Sequence, residues 1–202
     1  MVLFASDIHF GHENIINYCK RPYANVAEMD RSLIDNWNRK VKKNDTVYIM
    51  GDLVWNKKLL AEYMGELAGK KILIVGNHDA DWCRREDCKK HFESVIPYLE
   101  THLNCHPVTM CHYPMLEWVS SREDTPRKLG YHIHGHIHNN VREEYKALYL
   151  RFNALNAGVD VNNYEPVTFG ELIENNMRFK LSVLESEEER EMLLRHRREL
   201  GQ

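Results

Sequence analysis

The chain has 202 residues, which fits one domain able to bury its own core. Lys and Arg total 27 against 30 Asp and Glu, so the formal net charge of -3 gives no long-range pull toward nucleic acid and leaves only a local basic groove open. No apolar run reaches the length of a membrane span and no signal-peptide pattern opens the chain, so a cytoplasmic location is expected.

In chain order, residues 2–6 read as a buried strand that runs into the loop Asp7-Ile8-His9-Phe10-Gly11-His12. A short segment ends at Arg21-Pro22, since proline disfavours helix in the residue before it. Val26, Met29, Leu33, Ile34, Trp37 and Val41 recur at helical spacing, with Asn25 as N-cap and Glu28 as its capping-box partner. Strand 46–50 follows the Asn44-Asp45 turn. A helix is expected over 57–68, with Gly69 at its C-terminus, and then strand 71–75. Strand and helix in alternation argue for an α/β domain with a covered sheet.

Residues 81–92 read as a charged helix. From about 94 to 111, short apolar runs broken by Pro97 and Pro107 predict strands of a second sheet or sheet edge. Residues 115–130 are loop-like, 140–152 suggest a hairpin, and Thr168 with Glu171 forms a second capping box. The domain is expected over 1–182. The tail, 183–202, is helical by composition and would pack on the domain or a partner, including a second copy in a homodimer. The five cysteines are odd in number and form no Cys-x-x-Cys pair, which fits reduced thiols.

The chemistry sits where strands stop. Five apolar runs end in polar residues: Asp7 and His9 after the first, Gly51-Asp52 after the second, Gly76-Asn77-His78-Asp79 after the third, His112 after the fourth, and Gly135-His136-Ile137-His138 after the fifth. Ligands collect at the carboxyl ends of strands in open α/β sheets. Carboxylate, amide and imidazole groups suit divalent metals. Singly, Asp7, Asp52 and Asn77 read as turn or cap residues; jointly with the histidines they read as a metal site.

In this order the five blocks resemble the calcineurin-like metallophosphoesterase superfamily. Phe10-Gly11-His12 and Asn156-Ala157-Gly158-Val159-Asp160 are similar to a small bacterial or phage-type branch of it. The resemblance implies an α/β, four-layer αββα sandwich of two mixed β-sheets flanked by helices, with the metal site at the carboxyl ends of the strands. It implies two divalent ions, one held by Asp7, His9 and His138, the other by Asn77, His112 and His136, with Asp52 between them. Mn²⁺ is the first choice; Fe, Ni, Co or Zn could replace it. His78 is the expected proton donor and Asp79 the group that orients it. The reaction implied is in-line attack of a metal-bound hydroxide on a phosphomonoester or phosphodiester.

Asn77, His12 and Arg21 are the candidate substrate contacts. A guanidinium suits bidentate phosphate contact, although before Pro22 it equally serves to brace the loop. Trp55 and Trp118 are candidates for stacking on a base, with packing as the other reading. His132 and His134 read as strand residues, and His91, His102, His106 and His196 as surface or satisfied histidines. With no obvious basic stripe, a small or nucleotide-like phosphoester is preferred over the ends of DNA or RNA, the rival within the enzyme class. A non-catalytic scaffold of the same fold is the rival outside it.

Overall fold

The apolar runs become strands of two sheets in the computed structural model, which describes residues 1–123 and 128–199. Residues 124–127 of the expected 115–130 loop and the last three residues of the expected tail lie outside the described residues. The first sheet takes β1 (Val2–Ala5), β2 (Thr46–Ile49), β3 (Lys70–Ile74) and β4 (Ser94–Ile96) in that spatial order, all parallel. The chain then crosses at Pro97 to the second sheet. There β5 (Leu99–Leu103) pairs antiparallel with β6 (His106–Met110), and β7 (Tyr131–His134) and β8 (Ala154–Asn156) continue in parallel.

Period-two alternation sorts the first sheet's side chains into two cores. Phe4 and Ile74 join Val108, Met110, Tyr131, Ile133 and Leu155 of the second sheet. Leu3, Ala5, Val47, Ile49 and Leu73 instead meet Ile15 and Cys19 of α1 (Glu13–Cys19), Met29, Leu33, Ile34 and Trp37 of α2 (Val26–Lys40) and Leu60 and Met64 of α3 (Leu60–Glu66). Leu172, Ile173 and Met177 of α6 (Phe169–Val183) cover the second sheet's side. The result is the four-layer αββα sandwich.

The caps form as the sequence predicts, with one variation. Asn25 accepts the Glu28 N–H at 2.9 Å, but the Glu28 carboxylate reaches the Ala24 N–H rather than that of the cap itself. Thr168 and Glu171 make the reciprocal capping box of α6. In the tail, α7 (Glu187–Glu199) buries Leu193 completely in the apolar cluster that also holds Leu172, Ile173 and Met177. Its Glu189 pairs with Lys146 at 2.6 Å.

Two segments differ from expectation. Over 81–92 only α4 (Glu86–Lys89) is helical. The buried side chains there are Trp82, Cys83 and Cys88, whose spacings of one and five do not make a helical stripe, and short turns bury them instead. Residues 140–152 form a 3₁₀ turn, Glu143–Tyr145, and α5 (Lys146–Tyr149), not a hairpin. Leu148 and Phe152 are buried four residues apart, one helical turn, while β6 and β8 already occupy both edges of β7. Among the described residues no helix is long and apolar enough to cross a membrane.

Candidate metal centre

Because β1, β2 and β3 run parallel, their carboxyl ends share one edge of the sandwich. The loops after β6 and β7 reach the same place. Asp7, His9, Asp52, His136 and His138 all take left-handed backbone angles, with φ between 50° and 72°. They are five of the eleven non-glycine residues with positive φ among the described residues, so backbone strain concentrates here. Gly51, at φ +91°, lets two loops and a ring approach: a Cβ there would stand 2.5 Å from His112 Nδ1 and 2.7 Å from Gly76 Cα.

Asp52 is the hub. Its Oδ2 lies 3.7 Å from His9 Nε2, 3.6 Å from His112 Nε2 and 3.9 Å from His78 Nε2, while its Oδ1 accepts the His78 backbone N–H at 2.9 Å. Ligand atoms of Asp7, His9 and His138 lie within 4.8 Å of one another, and so do those of Asp7, Asp52 and His112. Asn77 Oδ1 is 2.9 Å from His112 Nε2 and 3.0 Å from His136 Nδ1. All seven residues expected to bind metal are thus brought to one place.

The donor set fits divalent cations. His9 has both ring nitrogens buried with no hydrogen-bond partner among the described residues. Each such unmade bond costs about 1–3 kcal/mol. Burial first, then His138 and Arg21, hold the His9 imidazole well below its usual pKa, so it is neutral with a lone pair to give. His112 Nδ1 lies 2.6 Å from the Met50 carbonyl and donates to it, which turns Nε2 toward Asn77 Oδ1 and Asp52 Oδ2. Oxygen and nitrogen donors that converge in this way suit a cation. Burial also raises the Asp52 carboxyl, and Asp7 adds to this against the pull of His112.

Arg21 does not reach the cavity. Its side chain is fully buried, as is that of Asp160, which it grips through Nε at 2.8 Å and Nη2 at 3.2 Å. Its remaining donors go to the carbonyls of Asp7 and Ile8, at 2.7 and 2.8 Å. It braces the first metal loop, and every guanidinium nitrogen is used before a substrate arrives. Asp160 in turn accepts from His138 Nδ1 at 2.8 Å, which aims Nε2 toward Asp7. Burial alone would lower the His138 pKa, but Asp160, Cys19 and Asp7 raise it to about 11, and the stabilised Nε2 proton is what a cation would replace. The sequence reading missed Asp160 as a site residue; the Asn-Ala-Gly-Val-Asp block carried the only signal.

Asp79 is also placed differently from expectation. Its fully buried carboxylate accepts the backbone N–H groups of Asp52 (2.8 Å), Gly76 (2.9 Å) and Leu53 (3.3 Å), so it ties two metal loops together and makes no hydrogen bond to the His78 ring. His78 stands at the mouth with its side chain 39% exposed. His12 is buried against Trp55, their ring centroids 3.8 Å apart, and its Nδ1 has no partner among the described residues. Both residues, with Tyr18, Asn140 and Arg142, line a cavity of about 470 Å³ over the centre. Trp118 is elsewhere: it is buried under Arg151 and donates to the Gly130 carbonyl. His132 and His134 are buried in β7, within hydrogen-bond distance of backbone carbonyls.

An αββα sandwich with carboxylates and imidazoles at its strand ends defines the class of two-sheet hydrolase folds built around metal ions. The chain belongs to the calcineurin-like phosphoesterase superfamily, whose domain model matches residues 1–162, and membership implies metal-dependent phosphoester hydrolysis. It is 36% identical over 172 residues to an uncharacterized protein of Methanocaldococcus jannaschii, covering 83% of this chain and 86% of that one. It is 27% identical over 164 residues to the gene 66 protein of Mycobacterium phage D29, covering 69% and 79%. The crystal structure of a protein of unknown function from Aquifex aeolicus superposes with a TM-score of 0.66 at 29% identity, covering 86% of this chain and 98% of that one.

Proposed function

We propose that the chain is a dinuclear phosphoesterase that hydrolyses small or nucleotide-like phosphomonoesters or phosphodiesters. The observation that carries this reading is the convergence of seven metal-type donors, Asp52 among them as the hub, with both His9 nitrogens left without a partner among the described residues. Asp7, His9 and His138 would hold one ion and Asn77, His112 and His136 the other, with the Asp52 carboxylate between them. Ions bound there would make a water nucleophilic at neutral pH and offset the charge on the phosphoryl oxygens. The mixed imidazole, carboxylate and amide donors suit Mn²⁺. Five free thiols fit a reducing cytoplasm.

The protein's own contribution is placement and proton transfer. His78, fixed through its backbone N–H on Asp52 and open to the cavity, donates a proton to the leaving oxygen. His12, in the wall of the same cavity, contacts the substrate's phosphoryl group. Arg21 and Asp160 act from behind, by orienting His138 and the Asp7 loop.

The test is hydrolysis of p-nitrophenyl phosphate and bis-p-nitrophenyl phosphate by metal-stripped protein with Mn²⁺ added back. Turnover should require Mn²⁺, and His78→Ala should lower kcat about 10²–10⁴-fold with two metals still bound. Equal turnover by His78→Ala, or turnover without metal, would overturn the reading.

A further inference from the structure

Three cavities are joined in series by shared walls. Trp55 and His78 belong both to the metal cavity and to a second of about 340 Å³, which Asn56, Asp81 and Trp82 complete. Lys57 belongs both to the second and to a third of about 380 Å³, where Lys58, Arg85, Asp87 and His91 lie. A single small phosphoester occupies only the first.

The two further cavities carry groups with nothing to do. Trp82 is almost wholly buried, yet its indole N–H has no acceptor among the described residues. Trp55 is 50% exposed and offers a ring beside His12 and His78. Lys57 and Lys58 are exposed, and neither holds an ion pair among the described residues. Of the acids nearby, Asp87 is taken by Arg85, at 2.6 and 3.0 Å. Asp81 alone remains, in the middle cavity.

We propose that this series of cavities is the binding groove for a single-stranded nucleic acid, with one phosphodiester at the metal centre, a neighbouring base stacked on Trp55, and the next phosphates at Lys57 and Lys58. The proposal rests on the phosphoesterase reading of the centre and extends its substrate from a nucleotide to a strand. Exposed aromatic rings interleaved with cations are how proteins hold single strands without reading sequence: every base has a face to stack, and the cations track the backbone. Trp82 walls the middle cavity between Trp55 and Lys57. A mononucleotide would leave Trp82, Lys57 and Lys58 idle. The overall charge of -3 does not oppose this, because screening confines distant acids while the groove acts at contact range.

The test is fluorescence anisotropy of a fluorescein-labelled thymidylate octamer with hydrolysis-resistant phosphorothioate linkages, bound to the Mn²⁺-loaded protein. Unlabelled octamer should displace the probe at least about tenfold better than thymidine monophosphate. Trp55→Ala should weaken binding about 5- to 160-fold, the range of base–aromatic stacking. Lys57→Glu/Lys58→Glu should reduce the slope of log affinity against log salt by about 1.4, two single-strand phosphate contacts. Both sets of side chains are exposed, and far-UV circular dichroism checks that the variants fold. Equal displacement by the monophosphate, or an unchanged salt slope in the double variant, overturns the groove. Hydrolysis of bis-p-nitrophenyl phosphate by the wild type is scored separately. Turnover there with no octamer preference removes the groove alone, whereas octamer binding without turnover removes the reading of the centre.

Discussion

Arg21→Ala separates bracing from substrate contact. In the native protein the Arg21 guanidinium holds Asp160 through two hydrogen bonds and caps the carbonyls of Asp7 and Ile8, with both charged side chains fully buried. Truncation leaves the Asp160 carboxylate in the interior with only His138 to answer it. Removing one partner of a buried pair costs about 3–5 kcal/mol. In a chain of this size each kcal/mol moves Tm by about 2–4 °C, so the expected fall is roughly 6–20 °C. Urea unfolding followed by tryptophan fluorescence should show a lower midpoint with an unchanged slope. The double variant Arg21→Met/Asp160→Leu removes both charges and should regain most of that stability. It should still bind divalent metal about 10–100-fold more weakly, because nothing then orients His138. Were Arg21→Ala to keep the wild-type midpoint and instead raise KM, the guanidinium would be touching substrate and the bracing argument would be wrong.

Three further perturbations follow from the same geometry. Asp79→Ala orphans three buried N–H groups and should lower stability by at least about 3 kcal/mol, whereas Asp79→Asn keeps one acceptor and should lose less; a loss of kcat in Asp79→Asn at full stability would restore its link to His78. Gly51→Ala forces a Cβ at φ +91° against His112 Nδ1 and should abolish metal binding by calorimetry; a variant that binds two ions normally would refute the need for that approach. Lys180, wholly buried with its amine on the carbonyls of Arg151 and Ala154, has its pKa pushed down by burial from 10.5 to about 7. Between those values the unfolded chain holds a proton at this position that the folded chain does not, so the Lys180 contribution to stability should rise as pH goes from 7 to 10, by about 1.4 kcal/mol per unit at most. His138, raised to about 11, acts with the opposite sign over the same window, so the reading is the difference in urea midpoint between wild type and Lys180→Met, which should grow in favour of the wild type as pH rises; a constant difference would refute it.

Much of the fold and centre was legible from one chain. The strands were readable because a parallel sheet buried on both faces needs continuous apolar runs, and β1, β2 and β3 supply them. The donors were readable because each follows such a run directly, so placing the strands placed Asp7, Asp52, Asn77 and His112 together. The caps at Asn25 and Thr168 are local hydrogen bonds and needed no tertiary information.

What the tertiary structure alone decided are contacts between residues far apart in the chain. Arg21 meets Asp160 across 139 positions, and only that encounter turns a phosphate-type side chain into a buried brace. Asp79 lies beside His78 in sequence, but its carboxylate turns to backbone amides of the loop after β2. The helix expected over 81–92 gave way to turns because burying Trp82, Cys83 and Cys88 outweighed helix propensity. The basic groove was unreadable for the same reason: Lys57 and Lys58 join the Trp82 loop only once α3 and β3 bring the two segments side by side. Periodicity and end signals are local and survive in a linear string. Which side chain satisfies which buried charge depends on the packed whole.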